Sequence, residues 1–299
     1  MAHGTRISGV NKAVTTGFTR IDGVSRKVKK GLTLINGVQK DINFAPDVDP
    51  VLGNNTPEQI RAAAQSGQAA NYWSVGDMIG IPLFGTVGSL SLNATYYAFI
   101  LGFDHNSDVE GGNSIHFQLG KTSAGADIAF CDSLYAKYDA TSTNMFKMNT
   151  TRTNSGGWKS STMRTVRCAE LLSAMPTAWQ NVITPCTKYS DNTGGGSNNA
   201  SYVTPTLDNI WLLGEFEIHG KITHANSAEQ NYQKQYDYYK NGNSKIKYKH
   251  NATTTACEWW TRSVYASGVN RFVRVTVAGG TNASYAYYSY GFAPGFKVA

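Results

Sequence analysis

The chain has 299 residues, of which 41% are hydrophobic and 16% are charged, and its formal net charge is +7. This length can bury a sizeable core, and the abundance of Gly, Asn, Ser, Thr and Tyr is typical of a turn-rich β or α+β protein rather than a helical bundle. The sequence has no apolar run of about 18 residues and begins without the apolar segment of a signal peptide, so we expect no membrane-spanning helix and synthesis in the cytoplasm.

Most of the positive charge lies in the first 44 residues. They contain eight Lys or Arg and two Asp residues, and so contribute +6 of the net charge of +7. The remaining residues contribute only +1, so a nucleic-acid-binding face is not expected on them. Because Phe18 is the only aromatic residue before Phe44, we favour docking of the basic segment to another protein over binding to nucleic acid.

The basic segment contains a repeat with a period of fourteen residues, visible at Ile7, Ile21 and Ile35. Two copies continue with Asp22-Gly23 and Asn36-Gly37, dipeptides that favour the positive φ angles of a type I′ hairpin turn. The sequence thus predicts a β-hairpin-repeat module at residues 1–47. One strand pair is too small to fold alone, so we expect the module to serve in attachment or oligomerisation. A flexible basic leader is the alternative.

Residues 48–56 are rich in Pro, Asp, Gly and Asn and are predicted to form a linker, which is followed by one domain at residues 57–299. Thr56 is a suitable helix N-cap and the Pro after it suits the first helical position, which predicts a helix that ends near Gly67. Apolar and β-branched residues predict two strands, at 78–83 and 94–103.

The loop after the second of these strands has oxygen-bearing side chains at alternate positions: Asp104, Asn106, Asp108 and Glu110. The spacing is similar to the start of a calcium-binding loop, but the glycine and the distal Glu of an EF-hand are misplaced. We expect a polar turn and no cofactor, with calcium binding as the alternative. His105 and His116 are expected to be satisfied structural histidines rather than metal ligands.

Further along, residues 140–160 are predicted to form a loop. A second main helix is predicted over 163–175, with Val166 on its apolar stripe and Pro176 stopping it. Residues 188–199 are polar and Gly-rich, which predicts a long irregular loop and a secondary contact site. Their glycines are not followed by Lys-Ser/Thr and a helix, so this is not a phosphate-binding loop.

Residues 210–218 are predicted to form a buried strand that leads into a polar edge. Glu215 and Glu217 would then lie on one strand face, because side chains alternate along a strand. Paired carboxylates are found in glycosidases, but no third group here marks a catalytic role, so we expect no enzymatic activity.

The cysteines lack the spacing of a metal clip, and no His partners stand at zinc spacing. Without a signal peptide they are expected to be buried free thiols, with a late disulfide as the alternative. They are Cys131, Cys168, Cys186 and Cys257.

The C-terminal stretch 257–296 has an apolar frame around a polar interior. It opens with Glu-Trp-Trp-Thr-Arg-Ser at 258–263 and closes with Gly-Phe-Ala-Pro-Gly-Phe at 291–296. Adjacent tryptophans are usually buried with their indole N–H groups paired, and a Pro between Gly and Phe residues forms a stiff turn. The residues expected to be largely buried are Trp259, Trp260, Phe272, Phe292 and Phe296.

Between the two ends of this frame, Tyr, Ser, Asn and Arg predominate. These residue types are typical of recognition loops, because Tyr offers large rigid contact area and Ser and Asn offer adaptable hydrogen bonds. The predicted ligand-binding residues are Tyr265, Ser267, Val269, Asn270, Arg271, Arg274, Asn282, Ser284, Tyr285, Tyr287 and Tyr288. The alternative is an edge hairpin whose tyrosines cover a sheet face.

The Trp-Trp-x-Arg-Ser opening, the alternating strand 272–277, the Gly279-Gly280 turn and the closing segment resemble a C-type-lectin-like domain. The likeness is to an uncharacterised family of such domains in phage and prophage tail or virion proteins, and it covers about residues 57–299. It implies an α+β fold with two main helices and a twisted antiparallel sheet. Several relatives of that fold are hypervariable targets of diversity-generating retroelements, and the Asn and Tyr scatter here fits that habit.

The resemblance implies a phage receptor-binding or adhesion protein of the virion, whose ligand is a host cell-surface protein or glycan. The N-terminal module is then expected to contact other virion proteins and to form a homotrimer. In the resembled family, the Tyr-rich residues 226–250 form an insertion that leads towards the same surface.

Two alternatives to adhesion stay open. The first is a structural decoration or tail protein without a receptor role. The second is an enzyme similar to formylglycine-generating enzymes, which share the fold but require a reactive cysteine pair. Cys257 does not offer such a pair in the sequence, because its nearest cysteine is Cys186.

Overall fold

The computed structural model describes residues 17–21, 24–28, 30–35, 38–43, 46–139 and 141–299. The chain divides into two units, Met1–Asp47 and Val48–Ala299. None of the helices in the described part combines the length and the apolar character needed to span a bilayer.

The first unit consists, in its described residues, of two β-hairpins. Strand β1 (Gly17–Ile21) pairs antiparallel with β2 (Val24–Val28), and β3 (Lys30–Ile35) pairs antiparallel with β4 (Val38–Asn43). The strand pairs predicted from two copies of the repeat are therefore confirmed. The predicted turn dipeptides Asp22-Gly23 and Asn36-Gly37, and the first copy of the repeat at residues 6–10, lie outside the described residues.

The second unit is a mixed α+β domain, which confirms the predicted class. Its strands are β5 (Met78–Val87), β6 (Leu90–Phe103), β7 (Ile115–Lys121), β8 (Ile128–Ala129), β9 (Ile183–Thr184), β10 (Cys186–Asp191), β11 (Val203–Asp208), β12 (Ile210–Leu212), β13 (Lys247–Lys249), β14 (Ala252–Cys257), β15 (Trp259–Val264), β16 (Arg271–Val275), β17 (Thr281–Tyr285) and β18 (Pro294–Val298).

The helices of this unit are short. They are α1 (Pro57–Gln65), α2 (Ser107–Glu110), α3 (Gly157–Ser160), α4 (Cys168–Ala174), α5 (Thr177–Val182), α6 (Glu215–His219) and α7 (Asp237–Lys240). A π-helical turn, Met163–Arg167, runs directly into α4. Single 3₁₀ turns cover Leu52–Asn54, Ala69–Asn71, Ala200–Tyr202 and Ser227–Asn231.

Helix α1 begins as the sequence predicts. The Thr56 hydroxyl accepts a hydrogen bond from the Gln59 backbone N–H, and the Gln59 side chain accepts one from the Thr56 N–H, so two otherwise unpaired donors of the first turn are satisfied. Ile60, Ala63 and Ala64 are buried on its inner face. The chain leaves the helix through Gly67, whose φ of +68° favours glycine.

The largest sheet has the strand order β12-β18-β7-β6-β5, and β9 pairs with the far part of β18. The C-terminal strand β18 therefore lies inside the sheet, between β12 and β7, and all its residues are buried. Smaller sheets are formed by β10-β11, by β14-β13-β8 and by β15-β16-β17. Within the described strands, the predicted single antiparallel sheet is thus replaced by several sheets, and β13 pairs with β8 in parallel.

The C-terminal frame is buried, as predicted. Trp259, Trp260, Phe272 and Phe292 are 0% exposed and Phe296 is 1% exposed. The indole N–H of Trp259 donates to the Lys245 carbonyl at 3.0 Å, and that of Trp260 donates to the Phe146 carbonyl at 3.0 Å. The two tryptophans pack into different hydrophobic clusters, because adjacent residues of a strand point to opposite faces.

Residues 48–56 differ from the predicted linker, because they belong to the compact second unit. Leu52 is only 2% exposed, and the Asp49 carbonyl accepts a hydrogen bond from the Trp73 indole. The polar residue types predicted a linker. Their backbone and side-chain groups are instead satisfied locally, mainly by the buried amide of Asn55.

Two other predicted segments are wrong in secondary structure. Residues 188–191, predicted as loop, belong to strand β10, and residues 215–218, predicted as strand, belong to helix α6. The Glu217 carboxylate accepts a hydrogen bond from the Gly214 N–H at 2.8 Å, and a negative charge in a first turn stabilises a helix. The polar side chains of β10 can be buried because they form hydrogen bonds or ion pairs with buried charged side chains.

The second main helix is confirmed in part. The π-turn and α4 cover 163–174, and Met163 and Leu171 are buried in the core. Val166, predicted on the apolar stripe, is instead 38% exposed. The π-turn adds a residue to the helical repeat, which shifts the stripe away from a regular spacing.

Candidate functional site

A contiguous group of aromatic and cationic side chains lies at the surface of the second unit, and we call it the tyrosine–arginine surface. It consists of Tyr138, Arg152, Arg271, Tyr285, Tyr287 and Tyr288. The rings of Tyr285 and Tyr287 are nearly parallel, with centroids 5.8 Å apart, and Tyr288 lies 5.3 Å from Tyr287. The ring of Tyr138 is 4.0 Å from that of Tyr287. Tyr138 is 49% exposed, and the other tyrosines are half-buried.

The hairpin β16-β17 places the guanidinium of Arg271 against the ring of Tyr285. Arg271 and Tyr285 are directly opposite each other in the strand register, and an Arg271 guanidinium N–H donates to the Tyr285 hydroxyl at 3.3 Å. The chain turns after Tyr285, because the Tyr288 N–H donates to the Tyr285 carbonyl at 3.1 Å. This turn brings the Tyr288 ring to the side on which Tyr285 lies, where a continuous strand would not.

A neighbouring segment contributes Tyr138. The Ala136 N–H donates to the Ser289 carbonyl, and the Ser289 N–H donates to the Lys137 carbonyl, so residues 136–138 run beside residues 288–289. The Ser289 hydroxyl donates to the buried Asp132 carboxylate at 2.6 Å. The same carboxylate oxygen accepts the Phe146 N–H, which ties the floor of the surface to the core.

A loop held by two asparagines contributes Arg152. The Asn149 amide donates to the Thr153 carbonyl, and the Asn154 amide donates to the carbonyls of Gly268 and Arg271. The Arg152 guanidinium lies 4.0 Å from the centre of the Tyr285 ring, and that of Arg271 lies 4.7 Å from it. Each guanidinium is attracted by the negative face of an aromatic ring, which orients it at the surface.

The two arginines are not neutralised by carboxylates. No ion pair within residues 46–139 and 141–299 includes Arg152 or Arg271. Asp139, which follows on the loop after Tyr138, accepts hydrogen bonds from Thr141 and Ser142 instead. The hydrogen bond from Arg271, followed by the charge of Arg152, lowers the pKa of Tyr285. The surface therefore has a positive potential over flat apolar rings.

The remaining predicted ligand-binding residues divide into two groups. Tyr265, Ser267, Val269 and Asn270 lie in the turn that precedes Arg271, where Val269 is 59% exposed and the Arg271 guanidinium is 5.9 Å from the Tyr265 ring centre. The second group, Arg274, Asn282 and Ser284, faces the other side of the β16-β17 hairpin, because its positions differ in parity from Arg271 and Tyr285.

That second group is engaged elsewhere. Arg274 forms an ion pair with Glu258, and the Ser284 hydroxyl is 3.2 Å from the Tyr290 hydroxyl, while Asn282 is exposed. These three predicted ligand-binding residues therefore do not join the tyrosine–arginine surface. Conversely, Tyr138 and Arg152 were missed, because both come from loops more than 100 residues away in sequence, which no local pattern connects to Tyr285.

The Tyr-rich residues 226–250 mostly serve the core. Tyr236, Tyr238 and Tyr239 are 0%, 4% and 2% exposed, whereas Tyr232 is 38% exposed and stacks on Tyr189 with ring centres 4.3 Å apart. The prediction that this insertion extends the recognition surface is not met by the three buried tyrosines.

A second cluster of chemically active groups is buried inside the domain. The Lys188 ammonium lies 2.7 Å from the Glu110 carboxylate and 3.2 Å from that of Glu217. The Arg262 guanidinium binds both oxygens of Glu217, and the Tyr236 hydroxyl lies 2.9 Å from Lys188. Two cations thus neutralise two carboxylates, and all of these side chains are nearly inaccessible to water. We interpret the cluster as a structural ion-pair network.

The pKa shifts in this network follow from burial and from the paired charges. Burial alone would raise the pKa of Glu217, but the charges of Arg262 and Lys188 outweigh it and lower that pKa below its ordinary value. Burial raises the pKa of Glu110, against the charge of Lys188. The neighbouring Glu229 belongs to none of the ion pairs among the described residues, and burial raises its pKa to about 7.

The network also contains the groups with metal-ligand geometry. Ligand atoms of Glu110, His116 and Cys186 lie within 4.8 Å of one another, as do those of His105, Glu110 and Glu217. The ammonium of Lys188 lies among them and repels any cation placed there. His105 and His116 were predicted to be satisfied structural histidines. Both are buried, but their Nε2 atoms have no hydrogen-bond partner within the described residues, so they are not fully satisfied.

The predicted calcium alternative concerns the loop before this network. Its four side chains have different partners: Asp104 accepts from the Ser114 N–H, Asn106 donates to the Tyr232 carbonyl, Asp108 lies 3.8 Å from the Lys234 ammonium, and Glu110 pairs with Lys188. Asp104 and Asp108 are exposed, whereas Asn106 and Glu110 are buried. Each of the four side chains is therefore engaged with a different partner.

All four cysteines are buried free thiols, as predicted. The structure nevertheless brings Cys131 close to Cys257, and their interaction lowers the pKa of Cys257 and raises that of Cys131. The Cys131 thiol itself donates to the Ala129 carbonyl. A cysteine pair absent from the sequence pattern thus exists in space. Cys131 is 3% exposed and Cys257 is 0% exposed, so neither thiol is accessible to a substrate in this structure.

These features define the protein as an α+β domain with an exposed aromatic and cationic surface and a buried ion-pair network. A protein family described as "Domain of unknown function (DUF6273)" matches residues 135–299, and the chain belongs to this family. No curated protein and no solved structure matches the chain. The matched residues include every member of the tyrosine–arginine surface.

Proposed function

We propose that the protein is a phage virion adhesin that binds a host cell-surface ligand through the tyrosine–arginine surface. The single observation that carries the proposal is the surface cluster of Tyr138, Tyr285, Tyr287 and Tyr288 with two arginines that have no acidic partner within residues 46–139 and 141–299. Aromatic and Arg side chains contribute most of the binding energy at protein interfaces. Tyrosines that only cover a sheet face would not form such a cluster with arginines.

The framework beneath this surface supports a binding role. The rings are supported by hydrogen-bonded loops and by the buried Trp260, so little conformational entropy is lost when a ligand binds. We also propose that the second unit is a C-type-lectin-like domain. The resemblance of the Trp-Trp strand and of the Gly-Phe-x-Pro-Gly-Phe segment, together with the α+β class, supports this fold.

The adhesion proposal is tested with the Tyr285→Ala/Tyr287→Ala double variant of the full chain. We expect adsorption of the labelled protein to host cells to fall at least tenfold, because each aromatic anchor contributes about 1–3 kcal/mol to binding. The melting temperature should change by only a few degrees, since both rings are partly exposed. Flow cytometry and thermal denaturation measure the two quantities.

Tyr232→Ala is the matched control, because Tyr232 is a partly exposed tyrosine outside the surface. It should leave adsorption unchanged. If the double variant adsorbs normally but melts much earlier, the tyrosines serve stability, and a structural virion protein without a receptor role becomes the better proposal.

For the first unit, we propose attachment to other virion proteins and formation of a homotrimer. The sequence repeat places apolar residues in strands that pair only two by two in the described residues, and a two-stranded pair is too small to be stable alone. Removal of residues 1–47 should therefore convert the trimer to a monomer in sedimentation experiments. Assembly that is unchanged by the truncation would remove the hairpins from this role.

A further inference from the structure

We propose that the ligand of the tyrosine–arginine surface is an acidic polysaccharide, with carboxylate-bearing sugar rings that pack on the tyrosines and pair with Arg152 and Arg271. This inference rests on the proposed adhesion function and names the ligand class of the same surface. It depends on three properties of the surface: the positions of the charges, the orientation of the rings, and the low charge of the surrounding domain.

The two guanidinium groups are positioned to bind anionic groups of a ligand. The guanidinium groups of Arg152 and Arg271 both lie over the Tyr285 ring, at 4.0 Å and 4.7 Å from its centre. Within residues 46–139 and 141–299, neither group is paired with a carboxylate. A guanidinium has five N–H donors in a planar fork that fits a carboxylate. One N–H of Arg271 donates to the Tyr285 hydroxyl, and Arg152 also interacts with this hydroxyl. Most donors therefore remain available to a ligand.

The tyrosine rings are arranged so that sugar rings can stack on them. The ring planes of Tyr285, Tyr287 and Tyr288 differ by 12° to 26°, and Tyr138 extends the group on the other side of Tyr287. The C–H groups on the face of a sugar ring carry a partial positive charge, and the face of an aromatic ring is negative. Because the two guanidinium groups lie over the Tyr285 ring, the rings of Tyr138, Tyr287 and Tyr288 offer the stacking surface for sugar units beside them. Their hydroxyl groups offer hydrogen bonds at the edge.

The low overall charge favours a polysaccharide over a nucleic acid, although aromatic rings with arginines also bind single strands. Residues 45–299 carry only +1 of the net charge of +7. A nucleic-acid site needs a basic groove that follows several phosphates, whereas two arginines suit separate carboxylates on adjacent or alternate sugars.

The experiment measures binding of the full chain to a polygalacturonate oligomer by titration calorimetry at low salt. Three comparison ligands are the same oligomer with its carboxyl groups reduced, poly-glutamate of equal charge, and oligo-thymidine. We expect binding to the acidic oligomer that weakens with added salt, and at least tenfold weaker binding to each comparison ligand.

The variants are Arg152→Gln and Arg271→Gln, each expected to weaken binding to the acidic oligomer roughly tenfold, because a hydrogen bond to a charged group is lost. Lys240→Gln is the control for net charge, since Lys240 is exposed on α7 and belongs to no part of the surface. Arg152 is exposed, so its replacement should leave the melting temperature unchanged even if that of Arg271 does not.

The outcomes separate this inference from the adhesion proposal. Equal binding of poly-glutamate or oligo-thymidine, or equal loss in Lys240→Gln, would overturn the acidic-polysaccharide assignment. So would cell adsorption that is lost in Tyr285→Ala/Tyr287→Ala but unaffected in both arginine variants, and in that case the adhesion function itself would stand. Adsorption that none of the tyrosine and arginine variants reduces would reject both.

Discussion

Replacing Arg262 by Met is expected to lower the free energy of unfolding by about 3–5 kcal/mol, because it leaves a buried carboxylate without its main partner. Arg262 and Glu217 are both 0% exposed, and the Arg262 Nη2 lies 2.8 Å from a Glu217 oxygen. The guanidinium also donates to the Ser190 hydroxyl and to the Leu212 carbonyl. Denaturant unfolding of the variant and of the unmodified protein measures the difference.

The effect should depend on pH with a definite sign. In the unmodified protein the pKa of Glu217 lies below its ordinary value of 4.5, so its contribution to stability is present above that pH and is lost as the pH falls through the lowered pKa. In Arg262→Met, burial raises this pKa, and protonation relieves the penalty at low pH. The stability difference between the two proteins should therefore shrink as the pH falls from about 6 towards 3.

Two further variants complete this test. Arg262→Met combined with Glu217→Gln should lose less stability than Arg262→Met alone, because no buried charge is then left unpaired. Lys234→Met breaks the exposed pair with Asp108, and should change stability by less than about 1 kcal/mol. An Arg262→Met loss as small as that of Lys234→Met would mean that water reaches the network.

Replacing Trp260 by Ala is expected to cost about 3–5 kcal/mol, the range for removal of a large buried aromatic side chain. The Trp260 ring packs edge-on against Tyr290 with centres 5.0 Å apart, and its N–H donates to the Phe146 carbonyl. Phe146 and Tyr290 lie beneath the tyrosine–arginine surface, where the Tyr290 N–H also bonds to Phe146. Stability and ligand binding should therefore fall together in this variant.

Trp260→Phe is the matched variant, because it keeps a ring in the core and removes the indole N–H. It should lose less stability than Trp260→Ala, as measured by denaturant unfolding. Tyr287→Ala gives the opposite pattern, with binding lost and stability nearly kept. If Trp260→Ala retained full binding, the surface would not depend on the tryptophan core that lies beneath it.

Part of this fold can be predicted from short-range sequence patterns. Thr56 and Pro57 predicted the start of α1, the fourteen-residue repeat predicted the described hairpins, and the apolar frame around residues 257–296 predicted the burial of five aromatic residues. Such predictions succeed because a helix cap, a hairpin and a tryptophan pair depend on residues that are close in the chain. The Tyr, Ser and Asn composition likewise indicated which segment would carry the surface.

The errors have a common cause in side chains whose partners are distant in sequence. Lys188 and Ser190 looked like loop residues, but buried Glu110 and Arg262 satisfy them inside strand β10. Glu217 looked like a strand residue, but it caps its own helix and pairs with Arg262. A polar side chain can be buried when a partner is supplied, and only the tertiary structure supplies it.

The tyrosine–arginine surface likewise depends partly on local sequence and partly on the tertiary structure. The sequence by itself determined that Tyr285, Tyr287, Tyr288 and Arg271 belong to one hairpin and its turn. Only the tertiary structure decided that Tyr138 and Arg152 join them, because loop hydrogen bonds from Asn154 and Ser289 bring these distant residues together. It also decided that the alternation along β16 and β17 is uninterrupted, so that Arg274 and Ser284 face the side opposite to Arg271 and Tyr285.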